Sequence, residues 1–306
     1  MITKTLKKKV IKKQTTLGSI QRPLGVELKN SLKRQIQALS KFRSQVRSRH
    51  PSHSPFRTQL PLLPFRSLVR FGSTTEVEDN LKRVELNTPE AIRNSSSKLL
   101  MKRCFASAEV KTANWKESFD IEGIREITEN WKFPVVAKAH FGSRGEGNTL
   151  IKTEAEFTTW CKGKSLYSYI FEKFYNYNRE YRLHVNEEGC FYTCRKMLRN
   201  DVDEDESWYR NDSNSVWFVE ENSQFDKPVN WDNIVEGSIK ALHSVGLDFG
   251  AVDLRIQSAK DSKGRVRENP DFIIVEINSA PSMGTITLEK YLVELPIMLK
   301  KKFLSM

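Results

Sequence analysis

An α+β fold is what this sequence predicts. Three observations point to it. Strand-like and helix-like stretches are interspersed through the C-terminal part of the chain, and a small strand–turn–helix unit precedes them. Hydrophobic residues make up 38% of 306, enough for a sizeable core. No apolar run approaches the roughly 18 residues that span a bilayer. The basic start has no apolar stretch behind it of the kind a secretory signal needs. A cytoplasmic protein is therefore expected, in the host cytoplasm if viral.

Charge separates the two ends. Residues 1–70 carry 17 Lys and Arg against one acid, Glu27, which leaves −4 on the remainder of a chain whose net charge is +12. Residues 1–20 form a lysine-rich tail with nothing to bury. Across 26–46, Leu28, Leu32, Ile36 and Leu39 recur as one stripe of a basic helix. Residues 50–64 hold four of the eleven prolines and read as a linker. A segment this basic attracts an acidic or nucleic-acid partner. Its scarcity of acids also resembles a mitochondrial presequence.

The ordered elements then follow. A strand at 67–71 runs into the turn 72–75. Thr88 as cap and Pro89 at the first helical position start a helix that should reach about Phe105. A second helix is expected over 120–131. A strand at 135–139 leads into the loop Gly142-Ser143-Arg144-Gly145-Glu146-Gly147. Thr153-Glu154-Ala155-Glu156 is a capping box that opens a helix to about Cys161. Strands at 169–174, 180–185 and 190–197 precede a helix at 231–245, strands at 249–256 and 272–278, and a closing helix at 288–303. The four cysteines, Cys104, Cys161, Cys190 and Cys194, read as reduced thiols. On a regular strand Cys190 and Cys194 would share a face.

Chemistry concentrates on the later strands. A period of two puts Asp253 and Arg255 on one face, and Val252 and Leu254 on the other. Glu276 and Asn278 likewise oppose Val275 and Ile277. If these strands are neighbours, two carboxylates and an amide converge, a hard oxygen set that suits Mg2+ and phosphate. The alternative is two amphipathic strands with a solvated face. The loop at 142–147 follows a strand bearing Lys138. It reads either as a glycine-rich phosphate loop or as a plain hairpin turn. It lacks the Walker A order, and it does not open a helix as a Rossmann loop does. Glu180, Arg182 and His184 share one strand face; they line a site or meet solvent.

In this order the pieces resemble the ATP-grasp superfamily, which includes D-alanine–D-alanine ligase and RimK-like peptide-glutamate ligases. The flavour is that of the RimK-like, COOH–NH2 ligase-type proteins common in phages. The resemblance covers 68–286, roughly two thirds of the chain. It is carried by Arg70-Phe71-Gly72-Ser73-Thr74, by Asn87, Ala91, Ile92, Asn94 and Lys98, and by Val136-Ala137-Lys138 with Gly142-Ser143-Arg144-Gly145. Glu172-Lys173-Phe174 with Arg179-Glu180-Tyr181-Arg182, and Val252-Asp253 with the run from Glu276 to Met283, complete it.

The resemblance implies two α+β subdomains gripping ATP, at 111–174 (nucleotide) and 175–306 (metal). A small α/β region at 21–110 and the basic tail would precede them. It implies that Lys98 and Lys138 contact nucleotide phosphates. The loop with Gly142, Ser143, Arg144 and Gly145 would close over them. Glu172, Lys173 and Phe174 would meet adenine, mostly through backbone groups, and Glu180 would hold the ribose. Asp253, Glu276 and Asn278 would bind one or two Mg2+ ions, with Mn2+ able to substitute. Arg182, Lys196 and Arg255 would face the transferring phosphate or the acyl phosphate. The implied reaction is ADP-forming ligation of a carboxylate to an amine on a small molecule or peptide. Kinase chemistry stays open and would release no free phosphate, and so does a non-catalytic nucleic-acid or assembly role. His184 and His243 are further candidate bases. Two features depart from the pattern: Ala251 stands where D-alanine–D-alanine ligase has an arginine, and an acidic insertion occupies 201–206.

Overall fold

The structure, a computed structural model, describes residues 66–75, 83–117, 123, 125–142, 147–211 and 213–306. The basic tail, the expected helix at 26–46 and the linker at 50–64 lie outside the described residues. The chain divides into two compact units. One comprises the described residues up to Ile92 together with Ser279–Met306, and the other is Arg93–Asn278.

In the first unit β1 (Arg66–Val69) and β2 (Arg83–Leu86) pair in parallel. Arg70, just beyond β1, is almost fully buried. Its guanidinium is ion-paired with Glu85 and donates to the Thr75 carbonyl at 2.5 Å. Gly72 has φ 66°, and a Cβ there would stand 2.8 Å from Ala280 Cβ, so both backbone and space call for glycine. α1 (Pro89–Ser96) starts as the sequence predicts, with Thr88 Oγ1 accepting from the Ala91 N–H at 3.2 Å.

The expected single helix to Phe105 is in fact two. The chain breaks after Ser96, and Ser97 caps α2 (Lys98–Ser107) by accepting from the Leu100 N–H at 3.3 Å. A run of three serines supplies local hydrogen bonds that compete with the helix ladder. The buried stripe of α2 is Lys98, Met101, Lys102 and Phe105, two lysines among apolar neighbours.

The second unit contains two antiparallel sheets. The smaller is built from β3 (Trp115–Glu117), β4 (Val135–Ala139), β5 (Asn148–Ile151) and β6 (Tyr169–Lys173), in the order β3-β6-β4-β5. α3 (Glu154–Lys162) is capped by Thr153 as expected. Val135, Ala137, Ile151 and Phe171 form a core with Phe157 of α3 and with Ile127 and Trp131. The Phe157 and Phe171 rings meet edge to face at 5.2 Å. Of the helix expected at 120–131, the described part is a π-helical turn, Glu126–Asn130.

The larger sheet is built from β7 (Arg179–Asn186), β8 (Gly189–Leu198), β9 (Ser215–Val219), β10 (Phe249–Ile256) and β11 (Phe272–Asn278), in the order β11-β10-β7-β8-β9. α4 (Trp231–Val245) packs against β7, β10 and β11. On that face Tyr181 meets the rings of Phe225 at 5.3 Å and Trp231 at 5.8 Å.

Two bulges reset the strand faces. Asp253 lies opposite Glu276 but Leu254 lies opposite Ile274, so Val275 is the extra residue. The bulge lets Ile274 join Leu254 on the apolar side while Glu276 stays with Asp253. In β8, Phe191 is extra, so Cys190 lies opposite Val185 and Cys194 opposite Arg182. The two cysteines therefore face opposite ways, a correction to the regular-strand expectation. All four thiols are free. The closing helix, α5 (Thr285–Leu304), belongs to the first unit; it contacts β2, and Tyr291 meets Phe71 edge to face at 5.8 Å.

Candidate active site

Because Tyr181 points toward α4, the even-numbered residues of β7 occupy the other face of the larger sheet. Register aligns two rows of side chains across that face. One runs Glu276, Asp253, Arg182, Cys194; the other runs Arg255, Glu180, Lys196, Trp217. The convergence that the sequence made conditional on neighbouring strands is present. Asn278 Nδ2 lies 3.2 Å from Glu276 Oε1 and 3.5 Å from Asp253 Oδ2.

The charges on this face are heavily paired. Arg182 forks onto Asp253 through Nε and Nη2, both at 2.7 Å. Lys196 Nζ stands 3.3 Å from Asp253 Oδ1 and 3.2 Å from Glu180 Oε1. Glu180 Oε2 also accepts from Arg255 Nε at 2.9 Å, and Arg210 Nη1 is 3.7 Å away. The Trp217 ring lies beneath Arg182 and Lys196, each 5.0 Å from its centroid.

Burial works against the Asp253 charge, but Arg182 and then Lys196 outweigh it and hold the carboxyl well below its usual range. Glu180 is held down in the same way, with Lys196, Arg255 and Arg210 overcoming burial. His184 lies on this face but is buried. Burial first, then Arg182, push its pKa to about 3, so it stays neutral and is a poor base at neutral pH. His243 is an exposed residue of α4.

A second cluster lies between α2 and the smaller sheet. Lys138 on β4 and Glu172 on β6 are diagonal neighbours, with Val136 opposite Glu172 and Lys138 opposite Ile170. Glu172 is 5% exposed and sits between two ammonium groups, Lys138 Nζ at 2.7 Å and Lys102 Nζ at 2.9 Å. Burial raises the cost of its charge, yet Lys102 and Lys138 together lower the pKa to about 2. Lys102 has no exposed surface; its Nζ also donates to Thr112 Oγ1, which donates to the Ile274 carbonyl at 2.7 Å. Lys98 Nζ donates to the Gly142 carbonyl at 3.1 Å. Burial lowers the Lys98 pKa and the nearby Glu276 carboxylate opposes that, so Glu276 acts electrostatically on both clusters.

Other expected site residues fall as follows. The N–H groups of Lys173 and Phe174 donate to the carbonyls of Asn114 at 2.9 Å and Pro134 at 3.3 Å. Gly142 (φ 150°) and Gly147 (φ 74°) frame the loop, while Ser143, Arg144 and Gly145 lie outside the described residues. Sequence reasoning missed Lys102, Arg210, Trp217 and the side-chain role of Glu172. For Lys102 a signal existed: 98, 101, 102 and 105 form a helical stripe that contains two lysines. For Arg210 and Trp217 there was none, because a long loop and an unrecognised strand bring them in.

No family model matches the sequence. No curated protein matches it either. Solved structures do. D-alanine–D-alanine ligase from Bacillus anthracis aligns over 72% of this chain and 69% of its own, with TM-score 0.50 and 13% identity. The fold is the ATP-grasp fold. N5-carboxyaminoimidazole synthetase from Staphylococcus aureus, in complex with ADP, aligns over 65% of this chain and 48% of its own, with TM-score 0.47 and 20% identity. The ATP-grasp ligase PsnB, in complex with a minimal precursor, aligns over 65% and 57%, with TM-score 0.44 and 15% identity.

Proposed function

We propose that the chain is an ATP-dependent carboxylate–amine ligase of the RimK-like kind, acting through an acyl phosphate on a small molecule or peptide. One observation carries the reading: Asp253 and Glu276 lie directly opposite each other with Asn278 beside them, in a unit that also holds the cations Lys98, Lys138, Arg182, Lys196 and Arg255. Likeness of fold to a D-alanine–D-alanine ligase supports it.

The donor set fits Mg2+. Among the described residues no group of three or more His, Cys, Asp or Glu gathers, so the chain offers two carboxylates and an amide. Mg2+ usually takes one or two carboxylates and fills its other positions with phosphate oxygens and water. Asp253, Glu276 and Asn278 would hold the ion. When bound, it supplies Lewis-acid neutralisation of phosphate charge.

The chain's own residues do the rest. Both Asp253 oxygens are engaged by Arg182 and Lys196. Were Asp253 to hold a cation, Arg182 and Lys196 would be free to neutralise a transferring phosphate. A substrate carboxylate oxygen attacks the γ-phosphorus and the bond to ADP breaks. An amine nitrogen then attacks the acyl carbon, phosphate leaves, and the amine proton passes to solvent. Positioning and charge neutralisation suffice, so no nucleophilic side chain is required.

Thermal denaturation with and without MgATP tests this in the wild type and in Glu276→Ala. A ligand that binds only folded protein stabilises it by about 2.7 kcal/mol at a hundredfold excess over Kd. The wild type should rise in Tm and Glu276→Ala should not. A folded wild type whose Tm ignores MgATP would overturn the proposal.

A further inference from the structure

α2 contributes a lysine that reaches no open surface. Lys102 is fully buried and bound at both accessible partners: Glu172 Oε1 at 2.9 Å, and Thr112 Oγ1. Burial, not a lack of donors, keeps it from touching a ligand directly. Lys138 differs. Its side chain keeps 11% of its surface exposed, and among the described residues its one polar partner is Glu172 Oε2 at 2.7 Å. Three charges thus share one buried spot, two positive and one negative. Left to itself, a Glu172–Lys138 pair would be neutral and closed, because a buried carboxylate stripped of its cation is strongly disfavoured. The second lysine changes that balance: with Lys98 and the nearby Glu276 counted in, three lysines face two carboxylates, one positive charge in excess. A buried surplus of that sign is satisfied by an incoming anion.

We infer that Lys102 is a positioning residue for nucleotide binding: it holds Glu172 so that Lys138 can leave that carboxylate for a phosphate. This rests on the reading of the site as a nucleotide site. The role is indirect, since Lys102 acts through Glu172 and not on the phosphate. It follows that the defect left by removing Lys102 is cured by removing the Glu172 charge as well. Lys102→Met leaves a neutral Glu172–Lys138 pair and a locked Lys138. Lys102→Met combined with Glu172→Gln leaves Lys138 as the lone cation, and the net charge returns to that of the wild type.

The experiment is a MgATP titration followed by calorimetry on the full chain, with folding checked by circular dichroism. Lys102→Met should bind MgATP about tenfold more weakly or worse, the scale of one charge-assisted contact. The double variant should bind within about threefold of Glu172→Gln alone, as non-additive coupling through a shared partner demands. Wild-type affinity in Lys102→Met overturns the inference, and so does a folded double variant that binds as weakly as Lys102→Met. If Lys102→Met does not fold, the double variant decides against Glu172→Gln, since a folded double variant about tenfold weaker than Glu172→Gln is incompatible with an indirect role. A wild type that does not bind MgATP is a different result, and it removes the nucleotide site itself.

Discussion

The two charged clusters of the second unit solve the problem of buried charge in opposite ways. Beside the smaller sheet, one carboxylate, Glu172, is shared by two lysines, so cations are in excess. On the larger sheet, Asp253 and Glu180 are enclosed by Arg182, Lys196, Arg255 and Arg210 in a network where nearly every charged atom has a partner. The first cluster is open to an added anion without breaking a bond of Lys102. The second must exchange partners before Asp253 can hold anything else. A lysine is a point charge that moves readily between acceptors, whereas an arginine fork held bidentate is not easily displaced.

The largest effect should come from breaking the closed network. Arg182→Met leaves Asp253 buried with Lys196 as its remaining cation, and should destabilise the fold by about 3–5 kcal/mol in urea unfolding. A loss under about 1 kcal/mol, the scale of an exposed pair, would mean that the fork is structurally idle.

A smaller effect sharpens the comparison through pH. Glu172 has its folded pKa lowered from 4.5 to about 2. Its contribution is therefore complete above the unfolded pKa and is lost as pH falls through the folded one. Stability should fall between about pH 4.5 and 2, and Glu172→Gln should flatten that limb of a Tm–pH curve without abolishing it. The residue is left because the depressed carboxyls of Asp253 and Glu180 titrate in the same direction. An unchanged limb in Glu172→Gln would contradict the shared-carboxylate geometry.

The smallest effect lies outside both clusters. Asp205, in the acidic insertion, pairs with Lys152 at 2.7 Å, but both side chains are exposed. Water screens such a pair, so Asp205→Ala should leave Tm unchanged within error. A measurable drop would show that the insertion matters to the fold.

Much of this architecture was legible in the chain. Strands at 135–139, 249–256 and 272–278 and the helix at 231–245 were readable to the residue, because their apolar periodicity is strong and turn residues bound them. β2, β3, β5 and β9 were not. β2, β3 and β5 have three or four residues each, too few for a period of two to stand out. The helix at 89–105 was legible as helical but not as two helices, since Ser97 reads as an ordinary exposed position until its hydroxyl is seen capping α2.

Within the site, the sequence by itself determined which residues could share a face: Asp253 with Arg255, Glu276 with Asn278, and Glu180 with Arg182 and His184. Alternation along a strand is a local property of the backbone, so it needs no partner to be read. Only the tertiary structure decided which faces meet. The register that sets Asp253 against Glu276, the bulges at Val275 and Phe191, and the helix that carries Lys102 to Glu172 all join residues far apart in the chain. Such pairings follow from how the two sheets and α2 pack, and no local pattern encodes them.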